Sequence, residues 1–484
     1  MIAPAILASH IFYGHGILVL RFAAFFMDYN ISMKEKDLIT IDINGINSEG
    51  EGIGRVDRDG GDFVVFVPGA ITGERVTCRL DRVSRKYAAA SIVDILSASP
   101  QRTKARCPSY GLCGGCQLQH VTYEEQLRIK GDILNDAMRR IGHITTSCEV
   151  VCSPSPDEWG YRNKTVLPVG RKIGYYERRS HRIVGFEHCP VLEPSVERIV
   201  SEMITANASS GLRGYDERNA KGDIRGMAAR AGGGMTLAGT IAARELTRRE
   251  FGRLRDIHQR MMSNSRGVAG SVLNIKTGRD NFVWGPVFRT ICGGGSLSVP
   301  LGKYSFSVDI SAFFQINTAQ AERIFERAAE TAGQLGASRV LELYGGVGSL
   351  TAYVASVAES VDSVEEWRSS ARLMRENMES NGIENVRVFE SSSEAFLSRY
   401  GHERAYDTIV LDPPRTGASE AVINGVSLIA PQNIIYISCN PATLARDAAR
   451  LMEDNRYEVT RLEAYDMFPQ TSHVESLCVL EKTE

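Results

Sequence analysis

Two reactive side chains lie near the end of the 484-residue chain: a thiol in Ile437-Ser438-Cys439-Asn440-Pro441 and a carboxylate in Pro469-Gln470-Thr471-Ser472-His473-Val474-Glu475. A second acid, Asp412, precedes them in Leu411-Asp412-Pro413-Pro414-Arg415. A thiolate adds to an electrophilic carbon and a carboxylate removes a proton, so the set fits covalent catalysis followed by proton abstraction. The uracil ring suits both groups, because its C6 accepts a thiolate and its C5 then becomes a carbon nucleophile. The competing reading of Cys439 is a buried, inert cysteine. Against it, Asn440-Pro441 predicts a turn, and hence an exposed thiol at a strand end. For His473 and Glu475 the alternative is a surface loop before a last strand over 476–481, with His473 orienting the loop.

A sheet edge must hold these groups, and the pattern after about residue 308 supplies one. Phe313-Phe314-Gln315-Ile316-Asn317 leads into a helix over 318–334. Arg339 to Leu343 reads as a buried strand, followed by Tyr344-Gly345-Gly346-Val347-Gly348 and a helix start. Strands follow over 361–365, 386–390, 408–412 and 433–437, the alternation of a doubly wound α/β sheet. A glycine turn alone is weak evidence, because dinucleotide enzymes share it. Glu365, at the end of the second strand, is placed to accept hydrogen bonds from ribose hydroxyls. Pro413 and Pro414 lack backbone N–H groups and make a stiff turn. Such a turn can hold Asp412 and Arg415 at the carboxyl edge, where ligands of these folds bind.

The composition, 43% hydrophobic and 24% charged, is that of a globular chain of two to four domains. A net charge of -2 means that any nucleic-acid site is a local patch. The first 34 residues read as a poorly ordered extension or a short packed helix. Their apolar stretch, Ile17 to Met27, is too short to span a membrane, is interrupted by Arg21 and lacks the pattern of an export signal. From 35 to 100, short alternating strands with glycine turns predict a small closed barrel.

Ten cysteines are too sparse for a disulfide scaffold, and three cluster in Cys107-Pro108-Ser109-Tyr110-Gly111-Leu112-Cys113-Gly114-Gly115-Cys116. Three convergent thiolates need a fourth ligand. Cys189, followed by a proline, is the first candidate, with Cys148 and Cys152 behind it. A [4Fe–4S] cluster and structural zinc are not separated by the spacing. Between Tyr161 and His188 stand Arg162, Lys164, Arg171, Lys172, Arg178, Arg179 and Arg182, interleaved with Tyr175, Tyr176 and Phe186. That composition predicts a surface that binds phosphates and stacks bases, or else a solvated face.

The barrel segment resembles the TRAM domain, through the glycine strand from Gly50 to Val56, Val67-Pro68-Gly69-Ala70 with Gly73-Glu74, and Lys86 to Ala90. From there to the C-terminus the chain resembles the bacterial RNA uracil-C5 methyltransferases that use S-adenosylmethionine. The motifs are Phe314-Gln315-Ile316-Asn317, Leu343 to Gly348, Asp412-Pro413-Pro414-Arg415, Ser438-Cys439-Asn440-Pro441 and His473-Val474-Glu475. The resemblance implies an OB-like TRAM barrel over 35–100, a central α/β domain over 101–310 with an iron–sulfur site, and a Rossmann-like methyltransferase domain over 311–484. It further implies that Gln315, Tyr344, Gly346, Glu365 and Asp412 contact S-adenosylmethionine, that Cys439 is the nucleophile and that Glu475 is the base. Cys107, Cys113, Cys116 and Cys189 would hold a [4Fe–4S] cluster, as in the ribosomal RNA branch, whereas the transfer RNA branch is expected to lack cluster and barrel. The implied partner is 23S ribosomal RNA with its uridine flipped out, and the implied protein is a cytoplasmic monomer. Two positions depart from the family, which usually has cysteine at 345 and often asparagine at 349, where this chain has Gly345 and Ser349. A non-catalytic ribosome-assembly factor would not need both Cys439 and Glu475. A small-molecule or protein methyltransferase would leave the barrel unexplained.

Overall fold

The computed structural model describes residues 33–58, 61–145, 150–278, 280, 283–401, 404–453 and 456–483. The N-terminal extension, apart from residues 33 and 34, and Cys148 lie outside the described residues. Among the described residues no helix is long and apolar enough to cross a membrane.

Five strands close into a barrel in the order Leu38–Ile46, Glu51–Arg58, Gly61–Pro68, Tyr87–Ser97, Arg75–Val83. Alternation drives the closure: Ile41, Ile43, Phe63, Val65, Val67, Val76, Cys78 and Leu80 are buried together at every second position. Gly54 is required where two strands approach closely, since a Cβ there would sit 2.3 Å from the Ile41 side chain.

Helix Tyr123–Arg140 follows the cysteine segment, and a five-stranded sheet comes next. Its order is Val287–Gly293, Val268–Ile275, Met235–Ala242, Ile224–Gly232, Lys164–Pro168. Helices Pro194–Ser210 and Arg248–Asn264 bury Val196, Ile199, Leu254 and Met261 in the same core as its strands. The second helix starts with a reciprocal cap between Thr247 and Glu250, which satisfies two of its free N-terminal donors.

The iron–sulfur site expected of this central region is not borne out. Among the described residues no group of three or more His, Cys, Asp or Glu side chains is placed to hold a metal ion. Cys107, Cys113, Cys116 and Cys189 do lie near enough for charge on one to disfavour charge on another. Burial is the larger influence, pushing the Cys116 thiol up to about 12 and the Cys189 thiol up to about 11. Cys189 packs against the apolar core of the central sheet, and the Cys113 sulfur accepts the Gly115 N–H at 3.4 Å. With no such group of side chains among the described residues, neither the [4Fe–4S] cofactor nor metal ligation is assigned to these cysteines.

The C-terminal part is an eight-stranded sheet in the order Val386–Glu390, Ser360–Glu365, Arg339–Leu343, Thr408–Leu411, Asn433–Ser438, Glu475–Lys482, Tyr457–Tyr465, Cys152–Ser153. The first five strands are parallel, so their carboxyl ends line one edge. Strand Glu475–Lys482 is antiparallel to Asn433–Ser438, so its first residue arrives at that same edge. This is a doubly wound methyltransferase-like sheet with an antiparallel finish, and the central strands Val340, Leu341, Ile409, Val410, Ile434 and Ile435 are fully buried.

Candidate active site

Cys439 and Glu475 are brought together by register. Ser438 pairs with Ser476 as the last pair of the antiparallel ladder, so Cys439, just past one strand, and Glu475, at the start of the other, come to the same end of it, close enough for the Glu475 charge to act on the thiol. The pair is locked by the Ser476 hydroxyl, which donates to the Ser438 carbonyl at 3.1 Å. Beyond Cys439 the chain turns into helix Pro441–Leu451, whose cap is Asn440: its Oδ1 accepts the Ala442 N–H at 3.1 Å, and Pro441 sits in the first turn. Asn440 also donates through Nδ2 to the Arg415 carbonyl at 2.8 Å, tying the loop after Asp412 to the loop after Cys439. The turn therefore leaves the thiol partly accessible rather than sealed in the core.

Asp412 directly follows strand Thr408–Leu411, the parallel neighbour of the strand that leads into Cys439, and the three groups share one electrostatic environment. Burial pushes the Glu475 carboxyl well above the usual carboxylate range, and the nearby Asp412 charge adds to the rise while Arg415 opposes it. Asp412 is raised by burial as well. Two carboxyls so placed resist ionising together, so they hold a proton between them where exposed acids would be bare. Burial likewise pushes the Cys439 thiol up to about 12, helped by Glu475 and Asp412 and opposed by Arg415. The guanidinium of Arg415 donates to His473 Nδ1 at 2.9 Å, so that nitrogen is an acceptor. Burial, followed by Arg415, pushes His473 down to about 4, which keeps the ring neutral.

The other candidate ligand contacts lie along the same edge. Tyr344 adopts φ +68°, a left-handed conformation costly for a side chain of this size, at the point where strand Arg339–Leu343 breaks into the glycine turn. Glu365 ends the neighbouring strand; its Oε2 accepts the Gly346 N–H at 2.9 Å and its Oε1 the Trp367 N–H at 2.8 Å. Gln315 is buried on the approach to helix Thr318–Gln334, its carbonyl accepting from Asn163 Nδ2 at 3.0 Å. The Gly345 departure has a packing cause: a Cβ there would lie 2.2 Å from Ser363 Oγ and 2.6 Å from Met374 Cε. Ser349 opens helix Ser349–Ala355, and no contact distinguishes it.

Sequence reasoning missed Glu342, which faces the core below the glycine turn and accepts from the Thr351 hydroxyl at 2.5 Å and the Ser363 hydroxyl at 2.6 Å. Burial pushes it up to about 7. An acid inside the apolar run Val340-Leu341-Glu342-Leu343 was the available signal. The basic run is also not the uniform surface it suggested. Lys164 is engaged with the Ser311 and Ala312 carbonyls, Arg178 and Arg179 reach Glu51 of the barrel, and Arg182 pairs with Glu177. Much of that charge joins elements of the fold.

A thiol near two carboxyls at the carboxyl edge of a doubly wound sheet, with a barrel of the TRAM type attached, is the arrangement expected of RNA methyltransferases acting on uracil C5 with S-adenosylmethionine. Residues 294–483 match the family described as tRNA (uracil-5-)-methyltransferase, and residues 35–93 match the TRAM domain. An uncharacterized RNA methyltransferase of Halalkalibacterium halodurans is 32% identical over 456 residues, covering 93% of this chain and 98% of the relative. Another, of Synechocystis, is 33% identical over 459 residues, covering 93% and 96%. The chain belongs to this RNA methyltransferase family, in its S-adenosylmethionine-dependent uracil-C5 group. Its fold is shared with the tRNA (uracil-54, C5)-methyltransferase of Pyrococcus abyssi, solved with S-adenosyl-L-homocysteine, at a TM-score of 0.71 and 24% identity, over 91% of this chain and 99% of that one.

These findings correct the expected placement in the 23S ribosomal RNA branch. That placement leaned on a cluster that the described residues do not form. It also took the barrel to be absent from transfer RNA enzymes. The Pyrococcus enzyme is matched over so much of this chain that the remainder is too short to contain the barrel.

Proposed function

We propose that this protein converts a uridine of transfer RNA to 5-methyluridine, with Cys439 as nucleophile and Glu475 as base, working as a cytoplasmic monomer. The observation that carries the chemistry is the strand register that brings Cys439 and Glu475 to the same sheet edge, where the charges of Glu475 and Asp412 both act on the thiol. Transfer RNA is supported by the description of the family matched over 294–483 and by the activity of the Pyrococcus enzyme. The barrel over 35–100 and the central region over 101–310 are assigned to holding RNA, and 311–484 to the chemistry.

The lip from Tyr344 to Gly348, with Glu365 and Asp412, fits the nucleoside part of S-adenosylmethionine: above Gly346 a Cβ would project into open space, and carboxylates stand at both neighbouring strand ends. When bound, that cofactor supplies an electrophilic methyl group. Its ribose hydroxyls are assigned to Glu365, with Gln315, Tyr344 and Asp412 holding the remainder. A uridine must leave its stack to reach the edge, at a cost of a few kcal/mol that contacts along the RNA offset. The high Cys439 thiol then needs its proton taken as it adds to C6, and the Asp412–Glu475 pair is the adjacent acceptor. Arg415 favours the thiolate and the negative charge that develops as C5 becomes nucleophilic. The pair passes the thiol proton on to water, which returns Glu475 to its ionised form. Once C5 carries the methyl group, Glu475 removes the C5 proton, the electron pair of that C–H bond reforms the C5–C6 double bond, and the Cys439 thiolate leaves and regains a proton.

The test is methyl transfer from labelled S-adenosylmethionine to unmodified transfer RNA and to 23S ribosomal RNA, with nucleoside analysis. Label in 5-methyluridine of transfer RNA is expected. Label confined to ribosomal RNA would move the substrate, and label in neither would remove the enzymatic reading.

A further inference from the structure

The loop that delivers Glu475 to the sheet edge is built by residues far from its own sheet. Gln470 is almost fully buried and holds φ +72°, a left-handed conformation at a non-glycine residue. Its N–H donates to Gln126 Oε1 at 2.9 Å, and its side-chain Oε1 accepts from Gln126 Nε2 at 3.0 Å. Its carbonyl accepts the N–H groups of Gln117 and Leu118 at 3.1 and 3.0 Å. On one side, Lys130 forms a fully buried ion pair with Asp466 and donates to the Phe468 carbonyl at 3.0 Å. Tyr161 donates to the Pro469 carbonyl at 2.9 Å. On the other side, the Ser472 hydroxyl donates to the Ser48 carbonyl of the barrel at 2.8 Å.

Both polar backbone groups of Gln470 are thus claimed from this part of the chain, the carbonyl by Gln117 and Leu118 just after the cysteines and the N–H by Gln126 in helix Tyr123–Arg140. The strained φ persists because these bonds over-determine it. Glu475 is only five residues further along and sits at the first position of its strand, so the angle at which the loop arrives sets where its carboxyl points.

We propose that Gln126, by its reciprocal amide pair with Gln470, is a positioning residue for the Glu475 carboxylate, and that the cysteine-bearing segment serves this reaction as the scaffold of the base loop. The inference rests on the reading of Glu475 as the base. It assigns to the segment a role in the proton-abstraction step: the bonds of Gln470 go to Gln117, Leu118 and Gln126, whereas the turn after Cys439 is capped by Asn440 and the cofactor lip is held by Glu365.

The experiment uses the full chain, S-adenosylmethionine and unmodified transfer RNA carrying tritium at uracil C5. Tritium release, the covalent protein–RNA adduct on denaturing gels, and cofactor affinity by calorimetry are measured for the wild type, Glu475→Gln, Gln126→Ala and Gln470→Ala. Gln126→Ala is expected to slow tritium release on the order of ten- to a hundredfold, with unchanged cofactor affinity and accumulation of methylated adduct. Gln470→Ala, which removes only the side-chain half of the pair, is expected to give the same signature more weakly, and it serves alone should Gln126→Ala not fold. Wild-type release in the folded variants, or an equal fall in adduct formation and release, would overturn the positioning role. If Glu475→Gln itself accumulates no adduct, the reading of the base fails; if it does and the glutamine variants do not, only the present inference fails.

Discussion

The cysteine segment and the Cys439 edge both offer buried thiols with elevated pKa, and they differ in what surrounds them. Around Cys116 the nearby charges would be other thiolates, all disfavouring ionisation beside one another. Around Cys439 stand an arginine, two carboxyls able to take a proton, and an open strand end. Burial raises both thiols alike, so burial does not mark a nucleophile. A carboxyl near the sulfur that can take its proton does, and none stands among the main influences on Cys113, Cys116 and Cys189, whereas a cation acts in both places, Arg415 on Cys439 and Arg162 on Cys113 and Cys189. The cysteine segment stands close to the reaction in another way, through the hydrogen bonds by which Gln117, Leu118 and Gln126 hold the loop ahead of Glu475.

The comparison breaks most sharply on Cys439→Ala against Cys116→Ser. The first is expected to abolish methyl transfer while cofactor affinity stays intact, and the second to retain transfer, both read by incorporation of labelled methyl into RNA. Next comes Glu475→Gln. Loss of the base is expected to slow turnover by about 10²–10⁴-fold, with an adduct surviving denaturing electrophoresis, because addition and methyl transfer precede proton removal. Absence of that adduct would show that Glu475 acts earlier. A smaller effect is expected at the lip: Glu365→Ala should weaken S-adenosylmethionine binding by about 1–3 kcal/mol, since it removes an acceptor and frees the Gly346 and Trp367 N–H groups. Unchanged affinity by calorimetry would move the ribose contact to another residue.

What was legible in the sequence follows the range of the interactions. Strands that deliver Glu365, Asp412 and Cys439 to the sheet edge could be read because apolar runs and turn residues are local signals. The pairing of Cys439 with Glu475 was visible only as two reactive residue types, because it is made by register. Between them lies strand Tyr457–Tyr465, which carries polar residues at its solvent-facing positions and was not anticipated. Glu475 proved to be the first residue of the last strand rather than part of the loop before it. The edge strand Cys152–Ser153 joins the catalytic sheet from a distant part of the chain. The basic run was legible only in part for a related reason: composition gave the charges, but the partners of Arg178 and Arg179, Glu51 of the barrel among them, are set by tertiary contact.

Glu342 sharpens the comparison from the side of the carboxyls, as a buried acid with a raised pKa that the reaction does not use. Its folded value, about 7, lies above the ordinary glutamate value, so in the folded state it keeps its proton to higher pH than in the unfolded chain. The folded state then binds more protons than the unfolded state across the window between those values. Its contribution to stability is present in full below the unfolded value and is lost as pH rises through about 7. Glutamine at this position keeps an oxygen able to accept from Thr351 and Ser363 and carries no charge to bury. Glu342→Gln is therefore expected to gain stability relative to the wild type as pH is raised from 5 to 8, by about 1 kcal/mol or more, with methyl transfer retained. Thermal melts of both proteins across that range read the difference. A gap that stays constant with pH would mean that Glu342 is already ionised in the fold. A loss of transfer would mean that this carboxyl, too, belongs to the chemistry of the edge.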